Sequence, residues 1–104
     1  MKLSVSERLH LLNLIPMLPK EGDYTTLRII RDLQNDTSFS EAEFKETNLR
    51  LEEGLFKWDK NVDKDVPIGE KATEMIVDTF KKLDEQKKLA MQFIDLYERF
   101  IEVA

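Results

Sequence analysis

Between two long stretches of helical periodicity lies a short island of period two. Leu49-Arg50-Leu51-Glu52 and Leu55-Phe56-Lys57-Trp58 alternate apolar and polar residues on either side of Glu53-Gly54. Such alternation puts every second side chain on one face of a strand. A two-residue link containing Gly supplies the positive φ that a tight hairpin needs. With Glu53 and Gly54 as the loop, Leu51 opposes Phe56 and Leu49 opposes Trp58. Both strands are therefore expected to bury one common face against neighbouring helices. A hairpin set within helix-forming sequence restricts the chain to the α+β class.

The flanks supply the helices. Ser4 and Glu7 have capping-box spacing, each side chain able to satisfy the other's free backbone N–H, which predicts a helix from about Val5 to Ile15. Its apolar set (Val5, Leu9, Leu11, Leu12, Leu14, Ile15) is wider than one stripe and places the helix near the centre of the fold. Pro16, Pro19 and the Lys20-Glu21-Gly22 turn end it. Asp23 or Thr25 caps a second helix running to about Gln34, with Leu27, Ile30 and Leu33 as its buried stripe. Asn35-Asp36-Thr37-Ser38 reads as a turn. Ser40 and Glu43 repeat the capping spacing and open a short third helix to about Glu46, with Phe39 and Phe44 as apolar contacts.

Beyond the hairpin, Val66 and Ile68 suggest a third short strand, which Pro67 confines to an edge. Ala72, Met75, Ile76, Thr79, Phe80 and Leu83 then keep a 3.6-residue stripe, leaving Lys71, Glu74, Asp78 and Lys82 outside. Asp84-Glu85-Gln86-Lys87-Lys88 reads as a helix end and link. A final helix from about Ala90 to Glu102 is expected to bury Phe93, Ile94, Tyr97, Phe100 and Ile101. The expected architecture is three N-terminal helices, a small antiparallel sheet and two C-terminal helices around one core, as a single domain over residues 1–104.

Composition narrows the function classes. At 41% hydrophobic and 36% charged residues, 104 residues allow one core under a densely charged surface. Sixteen Lys+Arg against 21 Asp+Glu give a net charge of -5, which opposes generic attraction to nucleic acid or anionic lipid. With no cysteine, disulfides, thiolate catalysis and Cys-ligated metal sites are excluded, and the one histidine, His10, excludes a multi-histidine metal site. Glu7, Arg8 and His10 interrupt the start of the chain, so no signal-peptide pattern is expected. No window approaches the roughly 20 apolar residues of a membrane span, and the cytoplasm is the expected compartment.

Two stretches resemble small proteins encoded in phage and prophage genomes. The first is SERLHLLNLIP followed by KEGDYTTLRIIRDL; the second is IGEKATEMIVDTFKKLDEQKKL with LYERF near the end. Together they cover most of the chain. The resemblance implies a mobile-element setting, in which short acidic proteins act by binding and disabling host proteins. It implies no site residues.

Several constellations carry candidate chemistry. Asp59, Asn61, Asp63, Asp65 and Glu70 match positions 1, 3, 5, 7 and 12 of a calcium loop, where alternate oxygens curl around the ion and a bidentate Glu closes the site. Lys64 stands where that loop needs Gly, and the entering segment reads as a strand, so a solvated acidic loop is the expected reading and no metal or other cofactor is assigned. His10 is a candidate general base by its titration range, yet no Ser or Asp at motif spacing accompanies it, so a half-exposed structural histidine is expected. Three glycines and no Gly-rich loop leave no phosphate cradle. No catalytic residue is assigned.

The order helix, helix, short helix, hairpin is also that of a winged-helix domain, with Ser40–Glu46 as the reading helix and Glu53-Gly54 as the wing tip. A DNA-reading helix presents Arg, Lys, Asn or Gln; this one presents Glu41, Glu43 and Glu46 against Lys45 alone. Arg28, Arg31, Lys45 and Arg50 form the only candidate basic patch. Tyr24, Phe39 and Phe44 border turns; packing at the core boundary is their expected role, with anchoring of a partner by an exposed ring as the alternative, and the stripe Phe100-Ile101-Glu102-Val103 is a candidate homodimer face. The leading expectation is a non-enzymatic module that binds a host protein through Glu41, Glu43, Glu46, Glu52 and Glu53. Complementary charge on the partner would steer that association. The alternatives are a winged-helix-like nucleic-acid binder and an oligomer sequestering a small nucleotide signal between subunits.

Overall fold

Strand β1 (Lys2–Leu3) leads directly into helix α1 (Val5–Leu14). The computed structural model describes residues 1–103, with side chains through Ile101. The capping box forms as the spacing predicts: the Glu7 N–H donates to Ser4 Oγ at 3.1 Å, and the Ser4 N–H donates to Glu7 Oε1 at 3.0 Å. Helix α1 buries Val5, Arg8, Leu11 and Leu14, and Pro16 sits in the single 3₁₀ turn, Ile15–Met17, that ends it. Its place is central, packed against helices on two sides and against β1.

Helix α2 (Tyr24–Thr37) is capped by Asp23, whose carboxylate accepts the Thr26 N–H at 2.7 Å. It runs three residues past the expected end. Asn35, Asp36 and Thr37 form its last turn rather than a loop, because the Thr37 hydroxyl donates to the Leu33 carbonyl at 2.7 Å and is buried there. Leu33 is buried and Ile30 half-buried, but Leu27, the third member of the expected stripe, is exposed. Helix α3 (Glu41–Thr47) opens on the second capping box and ends at Asn48, which takes the left-handed conformation (φ 55°) that Asn tolerates better than most residues.

The hairpin joins β2 (Arg50–Glu52) to β3 (Leu55–Lys57), antiparallel, pairing Arg50 with Lys57, Leu51 with Phe56 and Glu52 with Leu55. Glu53 (φ 51°) and Gly54 (φ 79°) make the two-residue turn. The expected register holds, but the expected burial does not. Leu51, Leu55 and Phe56 are 63%, 65% and 52% exposed. The reason lies at the neck. The N–H groups of Asp59 and Lys60 both donate to the Thr47 carbonyl, which fixes the hairpin's base to the end of α3, and the blade stands beside α1 across an open groove instead of packing on it. Only Leu49, at that base, reaches the interior.

The third strand also differs from expectation. Strand β4 is Lys64–Asp65, one step before Val66, and it pairs antiparallel with β1 rather than with the hairpin: Lys2 opposes Asp65 and Leu3 opposes Lys64. Leu3 and Val66 are both fully buried, and the Val66 N–H donates to the Met1 carbonyl at 2.8 Å. The described residues thus hold two separate two-stranded sheets.

Helix α4 (Glu70–Glu85) buries the expected stripe together with Val77, Leu83 being half-buried, and keeps Lys71, Glu74, Asp78 and Lys82 exposed. The last helical segment divides in two, a 3₁₀ turn at Met91–Phe93 and helix α5 (Ile94–Val103). Its buried residues are Phe93, Leu96 and Phe100, while Ile94, Tyr97 and Ile101 are half-buried. Phe80 lies among these rings, with centroids 6.0 Å from Phe93, 5.7 Å from Tyr97 and 6.3 Å from Phe100, the first two edge-on. Offset and edge-on ring pairs of this kind add about 1 kcal/mol each beyond burial. The α+β class and the helix–hairpin layout stand as the sequence implies.

Candidate partner-binding surface

The surface is organised by a buried arginine. Arg8, on the inner face of α1, is 1% exposed. Its Nε donates to the Thr37 carbonyl at 3.2 Å and its Nη2 to the Ser38 carbonyl at 2.7 Å, both at the end of α2. Its two terminal nitrogens also reach the Glu43 carboxylate on α3, at 2.5 and 3.3 Å. The guanidinium lies over the Phe39 ring, 3.8 Å from its centroid. Such a charge is tolerated inside a protein only when its donors are matched, and this one closes the corner between α1, α2 and α3. The hydrogen bond from Arg8, against the opposing effect of burial and with help from the Ser40 N–H, holds the Glu43 carboxyl down to about 2.

This arrangement corrects the expected acidic set. Glu43 turns inward, 25% exposed, where it both caps α3 and holds Arg8. Glu52 is occupied on the hairpin itself, bonded to Arg50 Nε at 2.8 Å and lying 3.5 Å from Lys57 Nζ. Glu41, Glu46 and Glu53 are exposed, and among the described residues their carboxylates have no ion-pair partner. Glu41 and Glu46 belong to α3 and Glu53 to the hairpin tip, so three of the five acids bear on solvent.

The basic patch loses its hairpin member. Arg50 donates to Glu52, to Asp59 at 3.2 Å and to the Asn48 carbonyl at 2.9 Å, and these carboxylates hold its guanidinium more firmly protonated still. Arg31 lies 3.9 Å from Asp32, while Arg28 and Lys45 are exposed.

The calcium-spaced residues do not converge. Asp59 faces Asn48 and Arg50, and these hydrogen bonds pull its carboxyl below the usual range. Asn61 accepts the Val5 N–H at 3.0 Å and donates to Asp63 at 2.9 Å. Asp65 pairs with the Met1 amino group at 3.0 Å, and Glu70 begins α4. Lys64, in the place of the loop glycine, donates to the Asp36 carbonyl at 2.8 Å and ties the segment to α2. Among the described residues no group of three acidic or histidine side chains is placed to hold a metal ion.

Leu51 and Phe56, expected on the buried face of the hairpin, prove to be among the exposed apolar residues. Leu51 and Phe56 share one face of the hairpin and Leu55 the other, and Phe44 on α3 is 42% exposed, 5.9 Å from the Phe39 ring. Between the hairpin and α1 lies an open groove of about 400 Å³, lined by Leu9 and His10 of α1 and by Phe56 and Trp58. His10 is half-buried in it, and no carboxylate or hydroxyl among the described residues bonds to its ring. Of the other aromatics, Tyr24 is 71% exposed at the start of α2, and Phe39 is covered by Arg8. Phe100, from the candidate homodimer stripe, is buried against Phe80 in its own chain; the side chains of Glu102 and Val103 lie outside the described residues. No helix is long and apolar enough to cross a membrane among the described residues. Compared with protein-family models, with curated proteins and with solved structures, the chain has no match.

Proposed function

We propose that this chain is a non-enzymatic protein-binding module whose contact surface is the β2–β3 hairpin. One observation carries this reading. Three large apolar side chains, Leu51, Leu55 and Phe56, are each more than half exposed on a blade hydrogen-bonded to the end of α3 at its neck. Apolar surface of this kind gains about 25 cal/mol for each Å² removed from water; with Leu51 and Phe56 on one face and Leu55 on the other, the fitting partner grips the blade on both sides, and exposed apolar surface with a polar rim marks interaction sites. Glu53 at the tip and Glu41 and Glu46 on α3 supply such a rim. The fitting partner is a protein with an apolar pocket bordered by basic groups, which those carboxylates would steer and orient. That the partner is a host protein, disabled by being covered, rests on the resemblance to phage-encoded proteins.

The test compares wild type with the double variant Leu51→Ser/Leu55→Ser as baits in nuclease-treated bacterial lysate, read by mass spectrometry. A near-stoichiometric protein retained by wild type and lost by the variant supports the reading. A partner retained equally by both, or none at all, overturns it.

A further inference from the structure

The groove between α1 and β3 has a lining unlike the rest of this densely charged surface. Two aromatic side chains, Phe56 and the half-buried Trp58, form one wall. The opposite side presents Ser6, His10 and Asn13 from successive turns of α1, and Gln92 from the 3₁₀ turn before α5 closes it. No Lys, Arg, Asp or Glu lines it, in a chain that is 36% charged. Its volume of about 400 Å³ falls within the range of small-ligand sites, roughly 300–1,000 Å³.

We propose that this groove binds the base of a neutral nucleoside. An aromatic wall gives a flat heterocycle a stacking platform. The Asn13 and Gln92 amides each offer a donor beside an acceptor, the pattern that pairs with the edge of a nucleobase. Ser6 and His10 add groups able to donate or accept. A charged ligand finds no counter-ion here, and a phosphate finds neither a cation nor a Gly-rich loop, so recognition falls on the ring and not on any attached phosphate. The inference goes beyond the protein-binding reading; the groove shares Leu55 and Phe56 with the blade, and its test reads Asn13 and Gln92, which the capture test leaves unchanged.

Trp58 is the only tryptophan in the chain, so its fluorescence reports on this groove alone. The experiment titrates the whole chain with adenosine, guanosine, cytidine and uridine, then with their 5′-monophosphates, and finally with N-acetylphenylalaninamide as a stand-in for a protein side chain that does not emit in the tryptophan band. At least one nucleoside is expected to give a saturable change, with its monophosphate binding no more tightly. Asn13→Ala and Gln92→Ala, both at exposed positions that leave folding intact, are each expected to weaken binding by about tenfold. Three results overturn the proposal: no saturable change with any nucleoside to millimolar concentration, tighter binding of the monophosphates with no effect of Asn13 or Gln92, or saturation by N-acetylphenylalaninamide alone. The last assigns the groove to a protein contact. The first two leave capture through the hairpin untouched.

Discussion

The guanidinium of Arg8 and the carboxylate of Glu43 meet at 2.5 Å across 35 residues of chain, with Arg8 sealed at 1% exposure and Glu43 at 25%. The pair joins the first helix to the third and anchors the platform from which the hairpin departs. Removing one member leaves the other's charge without its match, which costs about 3–5 kcal/mol for a buried pair. Arg8 keeps two backbone carbonyls and the Phe39 ring, so Glu43→Ala is expected near the lower end, about 3 kcal/mol in urea denaturation. Ser40→Ala, which removes only the cap, is expected to cost about 1 kcal/mol.

The same pair sets an acid limit. Glu43 has its carboxyl lowered from 4.5 to about 2 on folding, so its contribution is complete above the unfolded value and is lost as pH falls toward the folded one. That contribution is on the order of 3 kcal/mol. Stability of the wild type is expected to fall steeply between about pH 5 and pH 2, and the profile of Glu43→Gln to be flatter in that window. Parallel profiles for the two proteins would show that the pair does not govern acid unfolding.

Glu53 adopts a positive φ of 51° without being glycine, a conformation costing about 1–2 kcal/mol for most L-residues. Glu53→Asn is expected to slow amide exchange within β2 and β3 several-fold. Gly54→Ala, at φ 79°, has open space around the added methyl and only the backbone cost, and is expected to speed the same exchange. The blade's apolar side chains are exposed, so global stability should move little in either variant.

Leu51→Ser and Leu55→Ser are surface changes despite their strand positions. Each is expected to shift unfolding free energy by no more than about 0.5 kcal/mol. Phe80→Ala, at the meeting point of three rings, is expected to cost about 3–5 kcal/mol. Thermal denaturation of the three variants checks the contrast.

Millimolar calcium is expected to leave the melting temperature unchanged. Asp59, Asn61 and Asp65 are held by Arg50, the Val5 N–H and the Met1 amino group and do not face a common point. A calcium-dependent rise in melting temperature would show that the loop rearranges around the ion.

What the sequence made legible was local. Both S-x-x-E spacings formed their boxes, the Glu53-Gly54 turn set Leu51 against Phe56, and the stripe of α4 lay where its period put it, because each signal is complete within a few residues. What it hid was tertiary. Alternation shows which side chains share a face of β2 and β3, but not that the blade, fixed at its base to the Thr47 carbonyl, stands across an open groove from α1. Arg8 reads as a surface residue of an amphipathic helix until Thr37, Ser38 and Glu43 surround it. Strand β1 has two residues, too few for any period. Of the acidic set, Glu41, Glu46 and Glu53 reach solvent free of ion pairs among the described residues, while Glu43 and Glu52 are engaged within the chain.

The central claim, that the hairpin is open in the free chain and covered in function, is tested most directly by amide hydrogen exchange of the chain alone and with its captured partner. The account predicts new protection concentrated in Leu51–Phe56, with α4 unchanged. Protection elsewhere with Leu51–Phe56 still exchanging freely would contradict it.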